Sequence, residues 1–486
     1  MMFSPADVLM AGEVLTPGQD GYDEAAATVF AAGTPDLVVR PRAASGVAIA
    51  LRYAVGAGLP VSVRSGGHSP AGYGTSDGGL VIDLRHLREV RVLDPVTRQV
   101  RVGAGATWGA VAATLQRTGL ALTSGDTASV GVGGLTLAGG IGWMVRRYGL
   151  AIDSVTGADM VSADGRLVRA DAAQHQDLLW ALRGGGGNFG VVVSLDFIAQ
   201  PVGSVHYGPI VYRLDALAGG AGKDPADGLA RLITGWRDLM RASDESLTTA
   251  LALVPPMMGR PAMVVLRCCY ASPDRAAAAA ALAPFRRLAP VAADEIRVVP
   301  YAGVLDEAHM PPGVRAEMRN AFFRSLDDDQ AGAIAGLFRE GAAVELRSLG
   351  GAFGRVPADA TAFAHRDAEV LLVAATMRPA GAPAETAGQA LAAWPAVAAQ
   401  ASGAYTGFLG PTTDADVAAA YPAATYRRLA DVKQRYDPGN VFRRNHNIRP
   451  AGARVASASS SGSSSPSGSF GLFAHLAYLA HFGLPA

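Results

Sequence analysis

Across residues 36–200 the apolar positions follow two different periods. Short runs rich in β-branched residues, Leu37-Val38-Val39, Val61-Ser62-Val63 and Leu80-Val81-Ile82, have the composition of buried strands. Gln99-Val100-Arg101-Val102 alternates polar with apolar and predicts another strand. Between these runs the spacing turns helical: Val47, Ile49, Leu51 and Val55 follow a capping Ser45, and Trp108, Val111 and Leu115 follow Thr107. The mixture predicts an α+β region, and no usual dinucleotide fingerprint accompanies it. Residues 206–409 have another texture. Ile210-Val211-Tyr212 and Ala262 to Leu266 read as strands, while the alanine-rich stretches Asp274 to Leu288 and Ala384 to Trp394 read as helices. That alternation predicts an antiparallel sheet covered by helices. A final helix is predicted over Thr425 to Tyr436 and stopped by Asp437-Pro438-Gly439-Asn440. Residues 451–469 read as a Ser/Gly-rich linker, and residues 470–486 as an apolar tail, either a docking helix or a weakly ordered end.

Composition narrows the classes. A chain of 486 residues suffices for two or three domains, and 50% hydrophobic against 17% charged residues indicates a globular protein. Lys+Arg and Asp+Glu both number 42, a balance that gives no support to nucleic-acid binding. The two cysteines, Cys268 and Cys269, are adjacent and supply neither a disulfide framework nor a metal site. His86, His309 and His365 lack metal-ligand spacing and read as satisfied polar residues. No basic segment leads into an apolar core at the N-terminus, and no uninterrupted apolar run is long enough to span a bilayer, so a cytoplasmic location is expected.

Glycine brings in the chemistry. Arg64-Ser65-Gly66-Gly67-His68-Ser69 ends a strand in a loop whose bare amides suit a pyrophosphate and place an imidazole beside it. Val130 to Gly142 holds six glycines in thirteen residues, which would cost an ordinary helix about 1 kcal/mol each. Arg183 to Gly190 is a third such loop and precedes a strand. Singly, each reads equally well as a tight turn. Together they predict one long ligand touched from several sides.

These three segments, with Tyr436-Asp437-Pro438-Gly439-Asn440-Val441-Phe442 after them, resemble the berberine-bridge-enzyme-like flavoprotein oxidases of the vanillyl-alcohol-oxidase (PCMH-type) FAD fold, over residues from about 12 to 450. The resemblance implies FAD as cofactor, held by Arg64, Ser65, Gly66, Gly67, His68 and Ser69 from the first loop. From the second it implies Thr127, Val130, Gly131, Gly133, Gly134, Gly139 and Gly140, and from the third Gly187, Asn188, Gly190 and Val192. Asn445 and Asn447, flanking His446 where glutamine is common, would end near the flavin ring. The resemblance also implies a covalent bond from His68 to the flavin. A second, cysteinyl link is not expected, because Thr127 stands at the cysteine's position and a hydroxyl is a far weaker nucleophile than a thiolate. Valine at position 130 goes with access for O2.

The chain departs from the plant members at Arg355, which stands where they have a catalytic glutamate and cannot act as a base. Arg355 either binds an anionic or keto oxygen of the substrate or pairs with an acidic neighbour in the sheet. Tyr405, on a segment matched to a strand, is either an acid, base or shape element beside the flavin or a buried structural tyrosine. The expected organisation is an FAD-binding domain at 12–205, a substrate domain at 206–409, and a segment at 410–450 that returns to the first domain. The expected function is oxidation of a small molecule (sugar, secondary-metabolite alcohol or amine) by hydride transfer from a C–H next to O or N, with O2 reoxidation. The alternatives are a dehydrogenase with another acceptor and a non-catalytic flavin-fold binding protein.

Overall fold

Three sheets organise the chain. The structure is a computed structural model and describes residues 8–217, 225–256, 261–307, 314–379, 389–410 and 412–452. In the first sheet Gly12–Leu15 pairs antiparallel with Leu37–Pro41, which runs parallel to Leu80–Asp83, which runs parallel to Val61–Arg64. The second sheet is antiparallel, in the order Val90–Asp94, Gln99–Gly103, Val191–Ile198, Val155–Val161, Leu167–Asp171. The third sheet has eight strands and is antiparallel, centred on Ser204–Tyr212, Met263–Tyr270, Leu247–Val254, Ala343–Ser348, Val370–Pro379 and Val314–Phe323. This is the α+β architecture expected, with the large sheet covered by helices.

Strand periodicity decides what the large sheet faces. Val370, Leu372 and Ala374 join a core beneath the helices Pro225–Ala242, Arg275–Arg286 and Asp328–Arg339, where Trp236, Phe285 and Ile334 are fully buried. Leu371, Val373 and Ala375, on the other face, join a core with Ile141, Leu150, Phe363 and Tyr405. One face of the sheet thus packs on its helices and the other against the N-terminal region. The helices are capped as their sequences suggest: Thr107, Asp274 and Asp327 each accept a hydrogen bond from a first-turn amide.

Several expectations shift. The glycine-dense segment does form a helix, Val132–Ala138, with Gly131 as its N-cap and Gly139 ending it. The helix predicted from Ser45 begins at Ala44. Tyr405 lies not on a strand but just before a single 3-10 turn, Thr406–Phe408. Of the helix predicted over Ala384 to Trp394, residues 384–388 lie outside the described residues, and a short helix runs Trp394–Ala398. His309, the linker beyond residue 452 and the apolar tail also lie outside them.

The helix Ala423–Tyr436 ties the C-terminal segment to the rest. Leu429 and Val432 are buried, and so is Lys433, which is completely inaccessible to solvent. Its ammonium donates to the carbonyls of Asn188 (2.6 Å) and Phe442 (2.8 Å) and pairs with Asp437 at 2.7 Å. The Asp437 carboxylate also accepts from the amides of Val441 and Phe442. Burial pushes Lys433 below the ordinary lysine range, and Asp437 opposes that shift. Replacing Lys433 by methionine leaves a buried carboxylate without its cation. Lys433→Met is expected to lower stability by about 3–5 kcal/mol in denaturant unfolding, and a loss under about 1 kcal/mol would show that the pair contributes little.

Candidate functional site

The first and second glycine loops touch backbone to backbone. A Cβ on Gly66 would overlap the main chain of Gly131, and a Cβ on Gly131 would overlap Gly66 and Ser65. Gly67 follows in the left-handed region, φ 73°, which turns the chain and presents His68. The Ser65 hydroxyl donates to the Ala104 carbonyl at 2.6 Å and anchors the loop from below. The third loop joins through Asn188, which donates to the carbonyls of Gly185 and His446 and accepts from the Ile448 amide.

A cavity of about 270 Å³ opens where these loops meet. Ser65, Gly66, Gly67, His68 and Ser69 line it from the first loop. Thr127, Val130, Gly131, Gly133 and Gly134 line it from the second, and Gly187, Asn188, Gly190 and Val192 from the third. Tyr405 and Asn445 complete the wall. Five predicted site residues do not line it. Arg64 is buried but turns away, pairing with Asp83 at 2.8 Å and donating to the Ala27 carbonyl at 2.9 Å. Gly139 and Gly140 pack against Phe363 and Ala151. Asn447 lies beyond the wall, and Arg355 sits on a short helix, exposed and ion-paired with Glu245 rather than in the sheet.

Burial holds three titratable groups of the wall neutral. Burial lowers His68 to about 4, and nearby Asp126 only partly offsets this. His68 lines the cavity as a neutral imidazole. Burial also lowers His446 to about 4; its Nε2 lies 2.9 Å from the Thr406 carbonyl, so Nε2 carries the proton and Nδ1 faces the Thr412 hydroxyl. Burial raises Tyr405 to about 12, against the opposing pull of the Gly140 amide, which donates to the phenol oxygen at 3.2 Å. Tyr405 is therefore a phenol, not a phenolate, at ordinary pH.

Sequence reasoning missed the charges behind the wall. Asp126 lines the cavity and pairs with Arg347 at 2.6 Å. Arg347 also pairs with Glu345 and lies 5.0 Å over the Phe408 ring. Arg267 and Asp306, paired at 2.8 Å, are buried nearby. The signal was present: Glu345 and Arg347 stand two apart in a strand of apolar partners, so both take the same face. His86 pairs with Glu13, and His365 shares the carbonyls of Ala419 and Ala420. Among the described residues no group of His, Cys, Asp and Glu could hold a metal ion, and no helix is long and apolar enough to cross a membrane.

The cavity suits a flavin nucleotide on two observations. A Cβ on Gly134 or Gly187 would meet nothing within 4 Å, so these glycines leave bare backbone facing open space, unlike the packed ones. Asn445 donates through Nδ2 to the carbonyls of Gly187 and Phe442, while its buried Oδ1 has no protein partner. An N–H or hydroxyl of a bound flavin would satisfy that acceptor.

Comparison with known proteins agrees. Residues 35–171 match a family model described as FAD binding domain, and residues 406–449 one described as berberine and berberine like. The chain is 31% identical over 470 residues to (R)-6-hydroxynicotine oxidase of Paenarthrobacter nicotinovorans, covering 91% of this chain and 97% of that protein. The crystal structure of 6-hydroxy-D-nicotine oxidase from Arthrobacter nicotinovorans superposes with a TM-score of 0.79 at 29% identity, over 90% of this chain and 97% of the other. Xylooligosaccharide oxidase of Thermothelomyces thermophilus is 41% identical over 167 residues, 34% of this chain and 33% of that protein. A relative matching nearly end to end, with the glycine loops converging on one cavity, settles the family: the chain belongs to the berberine-bridge-enzyme-like FAD-linked oxidoreductases.

Proposed function

We propose that this chain is an oxidase that takes hydride from a C–H bond next to nitrogen or oxygen of a small molecule, with O2 as the final electron acceptor. The observation that supports it best is the convergence of His68, Tyr405 and three glycine loops on a single cavity. When bound, the flavin supplies the two-electron acceptor. The chain's part is to hold it, orient the substrate and exclude water. His68, neutral and at the cavity, carries the covalent attachment. Thr127 offers no second one, since its hydroxyl donates to the Asp126 carboxylate at 2.9 Å. Val130 keeps the wall small enough for O2 to approach.

Tyr405 meets the substrate as a hydrogen-bond donor. Its oxygen already accepts from Gly140, so the phenol proton is available to the substrate's heteroatom. Leu135, Leu137, Ala138, Ile141 and Phe408 give this part of the cavity an apolar wall that excludes water. Arg355, exposed and paired with Glu245, has no part in this reading.

An amine is the favoured substrate. In sequence the hydroxynicotine oxidase aligns across the large sheet as well as the cofactor region, whereas the xylooligosaccharide oxidase aligns over only about a third of this chain, although both share the fold. The apolar wall agrees with a compact ring compound better than with an oligosaccharide.

The purified protein is expected to be yellow, to bleach under anaerobic conditions with a cyclic amine and to recover in air with release of hydrogen peroxide. Bleaching that air does not reverse would instead indicate a dehydrogenase. His68→Ala is expected to free the flavin from acid-precipitated protein; yellow colour staying with the precipitated chain would place the attachment elsewhere. Tyr405→Phe is expected to lower kcat/KM by about 10²-fold or more with flavin content unchanged. Because the Tyr405 phenol stays protonated below about pH 10, the drop should be the same across that range. A loss confined to alkaline pH would mean that Tyr405 acts as a phenolate.

A further inference from the structure

The first loop brings the cofactor bare amides but no positive charge. Arg64, the cation of its motif, is spent on Asp83 and the Ala27 carbonyl. Burial opposes ionisation of Asp83, but Arg64 and Arg85 outweigh it and keep the carboxylate charged, so Arg64 is neutralised where it stands. Among the described residues, the one lysine or arginine lining the cavity is Arg444, from the C-terminal segment. Its Nε donates to the Ser62 hydroxyl at 2.9 Å and its Nη2 to the Thr75 carbonyl at 3.0 Å. Both partners are neutral and both belong to the first sheet and its loop. Among the described residues Nη1 has no protein acceptor and no carboxylate pairs with Arg444. Asp126, the one acid on the cavity wall among the described residues, is already paired with Arg347.

A half-buried guanidinium without a counter-ion, aligned by two neutral acceptors and facing a cavity, is suited to an anion. The anionic part of FAD is its diphosphate. We propose that Arg444 is the cation that neutralises the cofactor's diphosphate, completing with charge what the amides of Gly66 to Ser69 supply as hydrogen bonds. This rests on the flavin assignment and extends it. It gives the C-terminal segment a direct part in cofactor binding, because the returning chain delivers the charge the first loop lacks.

The test uses full-length protein carrying His68→Ala, stripped of flavin, with FAD, ADP and adenosine as probes. FAD is followed by its fluorescence, and ADP and adenosine by competition. Arg444→Gln is expected to weaken FAD and ADP by about 10- to 100-fold and to leave adenosine unchanged. Arg444→Lys, which keeps the charge and loses the fork, is expected to lose less than Arg444→Gln. Ser62→Ala, which removes one strut and keeps the cation, is expected to retain most ADP affinity. The inference is overturned if Arg444→Gln binds ADP as the parent does, if adenosine weakens as much as ADP, or if Ser62→Ala costs as much as Arg444→Gln. If the parent takes up FAD and Arg444→Gln takes it up equally well, only the role of Arg444 falls. If no form of the chain takes up FAD, the cofactor assignment falls with it.

Discussion

The contact between Gly66 and Gly131 is the constraint on which the site depends. Two segments more than sixty residues apart meet at main-chain distance, where neither tolerates a Cβ. That contact brings His68, Thr127 and Val130 to one cavity, and it seats the start of the helix Val132–Ala138 beside the first loop. Glycine is thus used here mostly for protein against protein. Close packing of backbone on backbone leaves no slack, so the shape of the cavity follows from the loops rather than from flexible side chains.

Charge burial holds the other two boundaries. On the C-terminal side, Lys433 gathers Asn188, Phe442 and Asp437 around one ammonium, which draws together the third glycine loop and the returning segment. On the side of the large sheet, Arg347 bridges Asp126 of the second loop and Glu345 of the sheet. Each ion sits where desolvation is costly and each is multiply bonded, the condition under which buried charges persist. Each joins parts distant in sequence, so these pairs act as register marks between elements that hydrophobic packing alone would leave freer to slide.

Part of the order of strands and helices was readable in the sequence: β-branched runs marked the first sheet, alternation marked Gln99–Gly103, and Thr107 and Asp274 stand where helices begin, whereas strands such as Leu247–Val254 and Ala343–Ser348 went unread. The cavity was readable as three glycine loops with one imidazole. What could not be read was direction. Arg64 lies in a matching motif and Arg444 two residues beyond one, yet the first points into a buried ion pair with Asp83 of a neighbouring strand and the second toward the cavity. Arg355 has the chemistry of an anion site, but its short helix carries it to the surface. The helix Val132–Ala138 runs against the cost of its own glycines. Its packing supplies what local propensity withholds: Val132 and Leu137 are buried in the core, and a Cβ on Gly133 would press against Ala104.

The cavity wall carries two kinds of polar group. Burial keeps His68, His446 and Tyr405 neutral. The wall's two formal charges differ in kind. Asp126 is compensated from behind by Arg347, whereas Arg444 is held only by neutral oxygens. An anionic occupant therefore meets an uncompensated cation at Arg444 and a compensated carboxylate at Asp126, so on the proposed reading its negative charge is drawn to Arg444. For the proposed hydride transfer, neutral groups and an apolar wall would disfavour ionic side reactions with water and keep Tyr405 a donor. Both effects would come from one set of wall residues, which the packed glycine loops hold in place.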